Sequence, residues 1–242
     1  MLHDIPQENI LFLDIETAPQ YRTYDEIPED ARKLWDHKVA SLHKSGRTSE
    51  LPAEFYRSAG IYAEFGKIIC ISVGYLKGHE FRLKSFYGDD ERKLLQDFSD
   101  LLAKHFNRAE HLLCAHNGKE FDFPFIARRM LILGLRIPKI LNTAGRKPWE
   151  VQHLDTMELW KFGDYKSYTT LNLLASVLGV PTPKDDIDGS MVYHVYYEEK
   201  NLERIVTYCQ KDVLTVAQIF LRMKGEPLIA PEAVILPAKQ LA

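Results

Sequence analysis

Three short segments of the sequence place acidic side chains in or directly beside apolar runs. Asp14 and Glu16 lie in the first segment, Asp122 lies in the second, and Asp212 lies in the third, four residues after Tyr208. Unpaired carboxylates are costly to bury among apolar side chains, so the fold must supply them with a partner. The segments are ILFLDIET at 10–17, CAHNGKEFDFPFI at 114–126 and YCQKDV at 208–213.

The first acidic pair belongs to a run that has the character of a buried β-strand. Residues 10–15 are short and apolar and end in acid, which predicts a strand. Residues two apart in a strand face the same side, so Asp14 and Glu16 point together while Ile15 points into the core. Two such carboxylates repel each other unless a cation lies between them, and hard oxygen ligands select Mg²⁺ or Mn²⁺. The simpler alternative is an edge strand with two solvated acids.

The acidic residues of the other two segments can also be explained without a metal site. Asp122 lies between a predicted strand and a predicted helix, where α/β folds build sites. Taken alone, it is more simply explained as a helix cap. Tyr208 and Asp212 share one face of a predicted helix. Asp212 interrupts the apolar stripe of this helix, so its carboxylate needs a polar or cationic partner. The alternative is that the helix has other bounds than predicted and that Asp212 is exposed to solvent.

The order of elements predicts an α/β fold built on a mixed central sheet. The first three strands are closely linked and indicate an antiparallel meander, and the fourth follows a helix and can lie parallel to the first. Helices are expected to flank this sheet. The expected strands are 10–15, 67–76, 80–87 and 111–115, and the expected helices are 89–106, 122–133, 171–179 and 201–223.

We expect a single domain over residues 1–225, followed by a Pro-containing C-terminal tail at 226–242. Residues at about 20–60 interrupt the strand pattern with polar sequence and scattered aromatic side chains. They are interpreted as a polar, partly helical insertion.

Composition limits the compartment and the kind of partner. The chain has 31 basic and 34 acidic residues and a net charge of −3, so a nucleic-acid partner would require bound metals or a local basic groove. Three cysteines without a C-x-x-C pair favour a reduced, cytoplasmic compartment. No stretch approaches the roughly 18 apolar residues of a membrane span, and no signal peptide is expected.

Together the segments form an ordered pattern that none of them forms alone. D-x-E at 14–16 is followed by N-x-x-x-F-D at 117–122 and by Y-x-x-x-D at 208–212. This pattern resembles the DEDD superfamily of 3′→5′ exonucleases, in its tyrosine-bearing (DEDDy) branch. The greatest similarity is to the proofreading exonuclease domain of B-family DNA polymerases, in a stand-alone form, and it extends over roughly residues 8–222.

The resemblance implies a ribonuclease H-like fold and hydrolysis assisted by two divalent metal ions, Mg²⁺ or Mn²⁺. It implies that Asp14, Glu16 and Asp212 bind the catalytic metal, and that Asp14 also bridges to a second metal held by Asp122. It further implies that Tyr208 and Glu16 orient the attacking water. The implied substrate-binding residues are Asn117 and Phe121, near the terminal nucleotide, and Thr17, near its 3′ end.

The expected activity is a metal-dependent 3′→5′ exonuclease that releases nucleoside 5′-monophosphates from single-stranded or frayed DNA ends. A ribonuclease D-like enzyme that trims RNA 3′ ends would use the same catalytic set, because the choice between DNA and RNA depends on contacts to the sugar. A catalytically silent module that only binds nucleic acid or protein is the alternative from another class. That module would be expected to lack at least one acid, and the sequence has all four.

Overall fold

A six-stranded mixed sheet forms the centre of the protein in the computed structural model, which describes residues 2–164, 166–181 and 187–236. The strand order is β5-β4-β1-β2-β3-β6. The strands are β1 Ile10–Pro19, β2 Gly66–Lys77, β3 Glu80–Tyr87, β4 Leu112–Ala115, β5 Leu154–Asp155 and β6 Val234–Ile235. The helices are α1 Glu29–Lys44, α2 Pro52–Phe55, α3 Glu91–His105, α4 Asp122–Ile132, α5 Thr156–Lys161, α6 Leu171–Val177, α7 Val192–Tyr197 and α8 Leu202–Lys224.

The strand directions confirm the predicted ribonuclease H-like α/β arrangement. Strands β1, β2 and β3 form the antiparallel meander. Strand β4 runs parallel to β1, and β5 runs parallel to β4. Strand β6 extends the sheet beyond β3, to which it is parallel. This order places β1 inside the sheet, so both of its edges are paired with neighbouring strands.

Alternation along β1 divides its side chains between two cores. Leu11, Leu13 and Ile15 pack on the side of the sheet that carries α3 and α4. Ile10 and Phe12 pack on the opposite side, against the apolar stripe of α8. Because side chains two apart share a face, the even-numbered residues of β1 continue toward α8. The same alternation therefore directs Asp14 and Glu16 to the α8 side.

Strand β1 is longer than predicted, and the acidic pair lies within it rather than at its end. Glu16 is opposite Cys70 of β2, whereas the next residue, Thr17, is opposite Ile68, so Ile69 is an extra residue in β2. Such a bulge bends the strand locally and allows pairing to continue beyond it, here as far as Pro19. The apolar run that guided the prediction ends before this second half of the strand.

Residues 20–60 contain α1 and α2 and form a small core around a buried indole. Trp35 is fully buried, stacks on Phe55 at 5.8 Å between ring centroids, and meets Tyr56 edge-on at 5.5 Å. Its indole N–H donates to the backbone oxygen of Pro52 at 2.9 Å. These contacts define the Trp35 cluster, whose buried members are Ile27, Trp35, Val39, Tyr56 and Ala59.

The last part of the chain lies against α8. The Gln218 side chain accepts from the backbone N–H of Ile229 and donates to its carbonyl oxygen, both at 2.9 Å. Residues 237–242 of the Pro-containing tail lie outside the described residues. Within the described ranges, no helix is long and apolar enough to cross a membrane.

A buried ion pair connects α3, α4 and the start of β2. Arg129 and Glu91 approach within 2.6 Å, with side chains only 1% and 8% exposed. Glu91 also accepts from the backbone N–H of Ile68 at 2.8 Å, and Arg129 donates to the carbonyl oxygen of Ala63 at 2.8 Å. Because α4 begins with Asp122, this pair helps to fix the helix that carries the second acidic segment.

We expect Arg129→Met to lower the free energy of unfolding by about 3–5 kcal/mol, because it leaves the Glu91 carboxylate buried without its partner. Urea denaturation measures this loss. Lys93→Met is the control, since it removes the cation of an exposed pair with Asp97 and should leave stability nearly unchanged. Equal effects of the two substitutions would contradict a special role for the buried pair.

Candidate active site

The side chains of Asp14 and Glu16 meet α8 beside a cysteine. Carboxylate oxygens of both residues and the Cys209 Sγ all lie within 4.8 Å of one another. Burial raises the pKa of Asp14 well above its ordinary value, and the negative charge of Glu16 raises it further. Burial likewise raises the pKa of Glu16, followed by the nearby Cys70 thiol. The two acids therefore form a crowded and poorly solvated pair.

Asp122 reaches the same place from the other side of β1. It is the first residue of α4 and is 3% exposed, and its Oδ1 accepts from the backbone N–H of Ile15 at 3.1 Å. Burial raises its pKa to about 7, although hydrogen bonds from its own N–H and from that of Ile15 act in the opposite direction. The N-cap position of α4 belongs to Phe121, so the carboxylate of Asp122 is directed at β1 rather than used as a cap.

Tyr208 and Asp212, both on α8, lie beside the acidic residues of β1 and α4. Burial is the largest cause of a strongly raised pKa at Tyr208, and the negative charges of Asp212, Glu16 and Asp14 add to it. The Tyr208 hydroxyl also forms a hydrogen bond with the Asp212 side chain. Asp212 in turn raises the pKa of both Asp14 and Glu16. The structure thus brings the five residues of the three segments together, over nearly two hundred positions of sequence.

The acidic group contains an oxygen that protein donors leave unsatisfied. Asp14 Oδ2 is buried and has no hydrogen-bond partner among the described residues. Over the same residues, no lysine, arginine or histidine forms an ion pair with Asp14, Glu16 or Asp122. Buried carboxylates that lack cationic side chains are typical ligands of a hard divalent ion. The donor set therefore fits a divalent metal, with the neutral Cys209 thiol beside it.

The three residues expected near substrate lie in two places. Thr17 and Phe121 line a cavity of about 600 Å³ together with Glu16, and we call this cavity the Glu16 pocket. Asn117 lies in the turn before α4, in the left-handed region with φ of 63°, which asparagine adopts more readily than most residues. Its Oδ1 is buried and lacks a partner among the described residues.

Asp155 is of a residue type that commonly caps turns, and the structure gives it a second role. It does cap α5, accepting from the N–H of Met157 at 2.9 Å. Its carboxylate also accepts from the N–H of Asn117 at 2.9 Å and from that of Lys119 at 3.1 Å. Asp155 therefore holds the turn that leads into Asp122. No local pattern in the sequence indicates this contact, because the partners are separated by nearly forty residues.

Cys209 is the other residue whose position was not anticipated. Its thiol donates to the backbone oxygen of Asp14 at 3.4 Å, and burial raises its pKa well above the ordinary value. The signal was present, since Cys209 precedes Asp212 by three residues and such residues share a helix face. A neutral thiol adds no negative charge to the acidic group.

A solved structure and a family model are similar to this chain. The family B DNA polymerase from the hyperthermophilic archaeon Pyrobaculum calidifontis is a similar solved structure, with 16% sequence identity and a TM-score of 0.47. The match covers 89% of this chain and 26% of the polymerase, so the chain spans about a quarter of that protein's length. A family model described as a predicted 3′-5′ exonuclease related to the exonuclease domain of PolB matches residues 61–226. Because that match covers more than half of the chain, the protein belongs to this family of predicted PolB-related 3′-5′ exonucleases.

Proposed function

We propose that this protein is a metal-dependent 3′→5′ exonuclease that removes nucleoside 5′-monophosphates from single-stranded DNA ends. The observation that carries the proposal is the convergence of Asp14, Glu16, Asp122 and Asp212, with an unsatisfied buried oxygen on Asp14. Four converging carboxylates are a suitable complement for two divalent cations. Membership in a family of predicted exonucleases supports the same activity.

In the proposed reaction, a water oxygen forms a bond to the terminal phosphorus while the bond from phosphorus to the preceding 3′ oxygen breaks. Asp14, Glu16 and Asp212 would hold one metal ion, and Asp14 and Asp122 would hold the second. When bound, Mg²⁺ or Mn²⁺ supplies an acidified water and charge neutralisation at the attacking and leaving oxygens.

Tyr208 is suited to orient the attacking water and not to remove its proton. Its hydroxyl has an ordinary pKa near 10, and burial raises it further, so the proton stays on the oxygen at neutral pH. Its hydrogen bond with Asp212 fixes the hydroxyl beside the acidic group. In this proposal Glu16, which lines the Glu16 pocket, accepts a hydrogen bond from the same water.

The decisive experiment uses matched DNA and RNA oligonucleotides, single- and double-stranded, labelled at either end and incubated with Mn²⁺. Stepwise shortening of the 5′-labelled single DNA strand, lost with chelator, is the expected result. Faster shortening of the RNA strand than of the DNA strand would mean that the substrate is an RNA 3′ end. Binding without shortening of any strand would contradict the proposed enzymatic activity and would indicate a module that only binds nucleic acid.

Mg²⁺ or Mn²⁺ should raise the melting temperature of the chelator-treated protein, because a ligand that binds only the folded state stabilises it. Asp14→Asn should raise the melting temperature in chelator, since it removes one of the mutually repelling charges, and should reduce the metal-dependent rise. Asp30→Asn, which changes an exposed carboxylate at the start of α1, should do neither. A wild-type protein that shows no shift at saturating metal would contradict the metal assignment.

Asp14→Ala and Asp212→Ala should each lower the turnover number by about a thousandfold or more, because metal-assisted charge stabilisation is lost. Circular dichroism should show that both variants remain folded. The measurement is the initial rate of mononucleotide release from a single-stranded oligonucleotide. Near-normal turnover in either folded variant is incompatible with the proposed ligand set.

Tyr208→Phe should slow hydrolysis by about 10- to 100-fold, less than loss of a carboxylate, because it removes an orienting hydrogen bond but no metal ligand. The metal-dependent rise in melting temperature should persist in this variant. A rate as low as that of Asp14→Ala would mean that Tyr208 does more than position water.

A further inference from the structure

The Glu16 pocket has one side built from the segment that precedes β2. Glu16 and Thr17 lie at its β1 side, and Arg57 and Ser58 contribute from the segment 20–60. The ring of Tyr193, from α7, lines it as well. Its volume of about 600 Å³ is within the range of small-ligand sites. Residue 57 lies outside residues 61–226, so its presence here does not follow from the family match.

Arg57 is held at this position by a rigid support. The neighbouring Tyr56 is 3% exposed, belongs to the Trp35 cluster, and accepts through its hydroxyl from the backbone N–H of Tyr21 at 3.2 Å. The 3₁₀ turn Tyr56–Ile61 then lies directly on β1. A Cβ atom at Gly60 would be only 3.0 Å from the backbone carbon of Ala18, the residue that follows Thr17. The turn that carries Arg57 is therefore fixed relative to the acidic pair.

Within the described part of the chain, no group accepts a hydrogen bond from the guanidinium of Arg57. Its Cζ lies 6.0 Å from the centroid of the Tyr193 ring. The carboxylate on the same rim, Glu198, is already paired with Arg22, whose Nη2 and Nε donate to it at 2.6 and 3.3 Å. Among the described residues, Arg57 forms no ion pair of its own. An exposed arginine next to an aromatic ring, without a carboxylate partner, has the chemistry that binds a nucleotide phosphate.

Tyr193 lines the pocket and is held there by two contacts. Its hydroxyl donates to the backbone oxygen of Arg22 at 2.7 Å, and the ring packs on Tyr197 at 5.3 Å between centroids. Phe121 provides a second aromatic surface of the same pocket. Aromatic side chains of this kind stack on nucleobases regardless of base identity.

We propose that Arg57 and Tyr193 are substrate-positioning residues that hold the 3′-terminal part of a nucleic-acid strand in the Glu16 pocket. Arg57 donates hydrogen bonds to a phosphate of the strand, and Tyr193 contacts a base. The inference rests on the proposed exonuclease function, since it assigns the substrate contacts of the same site. It also gives the segment 20–60 a role, which is to present an arginine at this rim of the pocket.

The test measures binding of a 5′-fluorescein-labelled oligothymidine by anisotropy, with Ca²⁺ in place of Mg²⁺, at several salt concentrations. Arg57→Ala should weaken binding by about fivefold and should reduce the slope of log Kd against log salt by about 0.7, the value for one lost phosphate contact on a single strand. Arg57→Lys should retain the slope. Arg47→Ala, an exposed arginine of the same segment outside the pocket, should match the wild type.

Tyr193→Ala should weaken binding by about fivefold or more, whereas Tyr193→Phe, which keeps the ring, should bind nearly as tightly as the wild type. Unchanged affinity and salt slope in Arg57→Ala would overturn the proposal, and so would equal losses in Arg57→Ala and Arg47→Ala. Binding is read without turnover, so this result is distinct from failure of the nuclease assay. In an active wild type, Arg57→Ala should raise KM by about fivefold and leave kcat within about twofold.

Discussion

Electrostatic repulsion among buried carboxylates is the constraint around which this molecule is arranged. Alternation along β1 sends Asp14 and Glu16 to the α8 side, where Asp212 already lies, and α4 begins with Asp122 at the same point. Two neighbours of these acids, the Cys209 thiol and the Tyr208 phenol, have raised pKa values that keep them protonated, so they add no negative charge. Backbone N–H donors reach part of the group, as the Ile15 N–H does at Asp122, and a bound cation would reduce the remaining repulsion.

The sequence indicated those parts of the fold whose residues repeat with a regular period. The even positions of β1 and the apolar stripe of α8 specify two faces, and the acids occupy those faces at places that local rules identify. The helix α3 and its Asp90 cap were predictable for the same reason, since the cap precedes an amphipathic run. Convergence of the three acidic segments could be inferred only from their order and combined resemblance.

Features that depend on distant contacts were not predictable. The second half of β1 exists because β2 has one extra residue at Ile69, and no pattern in β1 itself reports that. Asp155 binds a turn nearly forty residues earlier. The segment 20–60 has scattered aromatic residues without a period, and its order comes from Trp35 meeting side chains from α2, the following 3₁₀ turn and the residues before β2.

Two glycines set the distance between the Trp35 cluster and the sheet. A Cβ at Gly60 would crowd the backbone of Ala18, and a Cβ at Gly66 would lie 2.7 Å from the carbonyl oxygen of Gly60. Main chain thus touches main chain here, and no side chain acts as a spacer. The distance between the turn Tyr56–Ile61 and β1 is consequently set by the backbone at these two glycines. Side chains on this turn, such as Arg57, can therefore be exchanged without moving the turn relative to the acidic residues of β1.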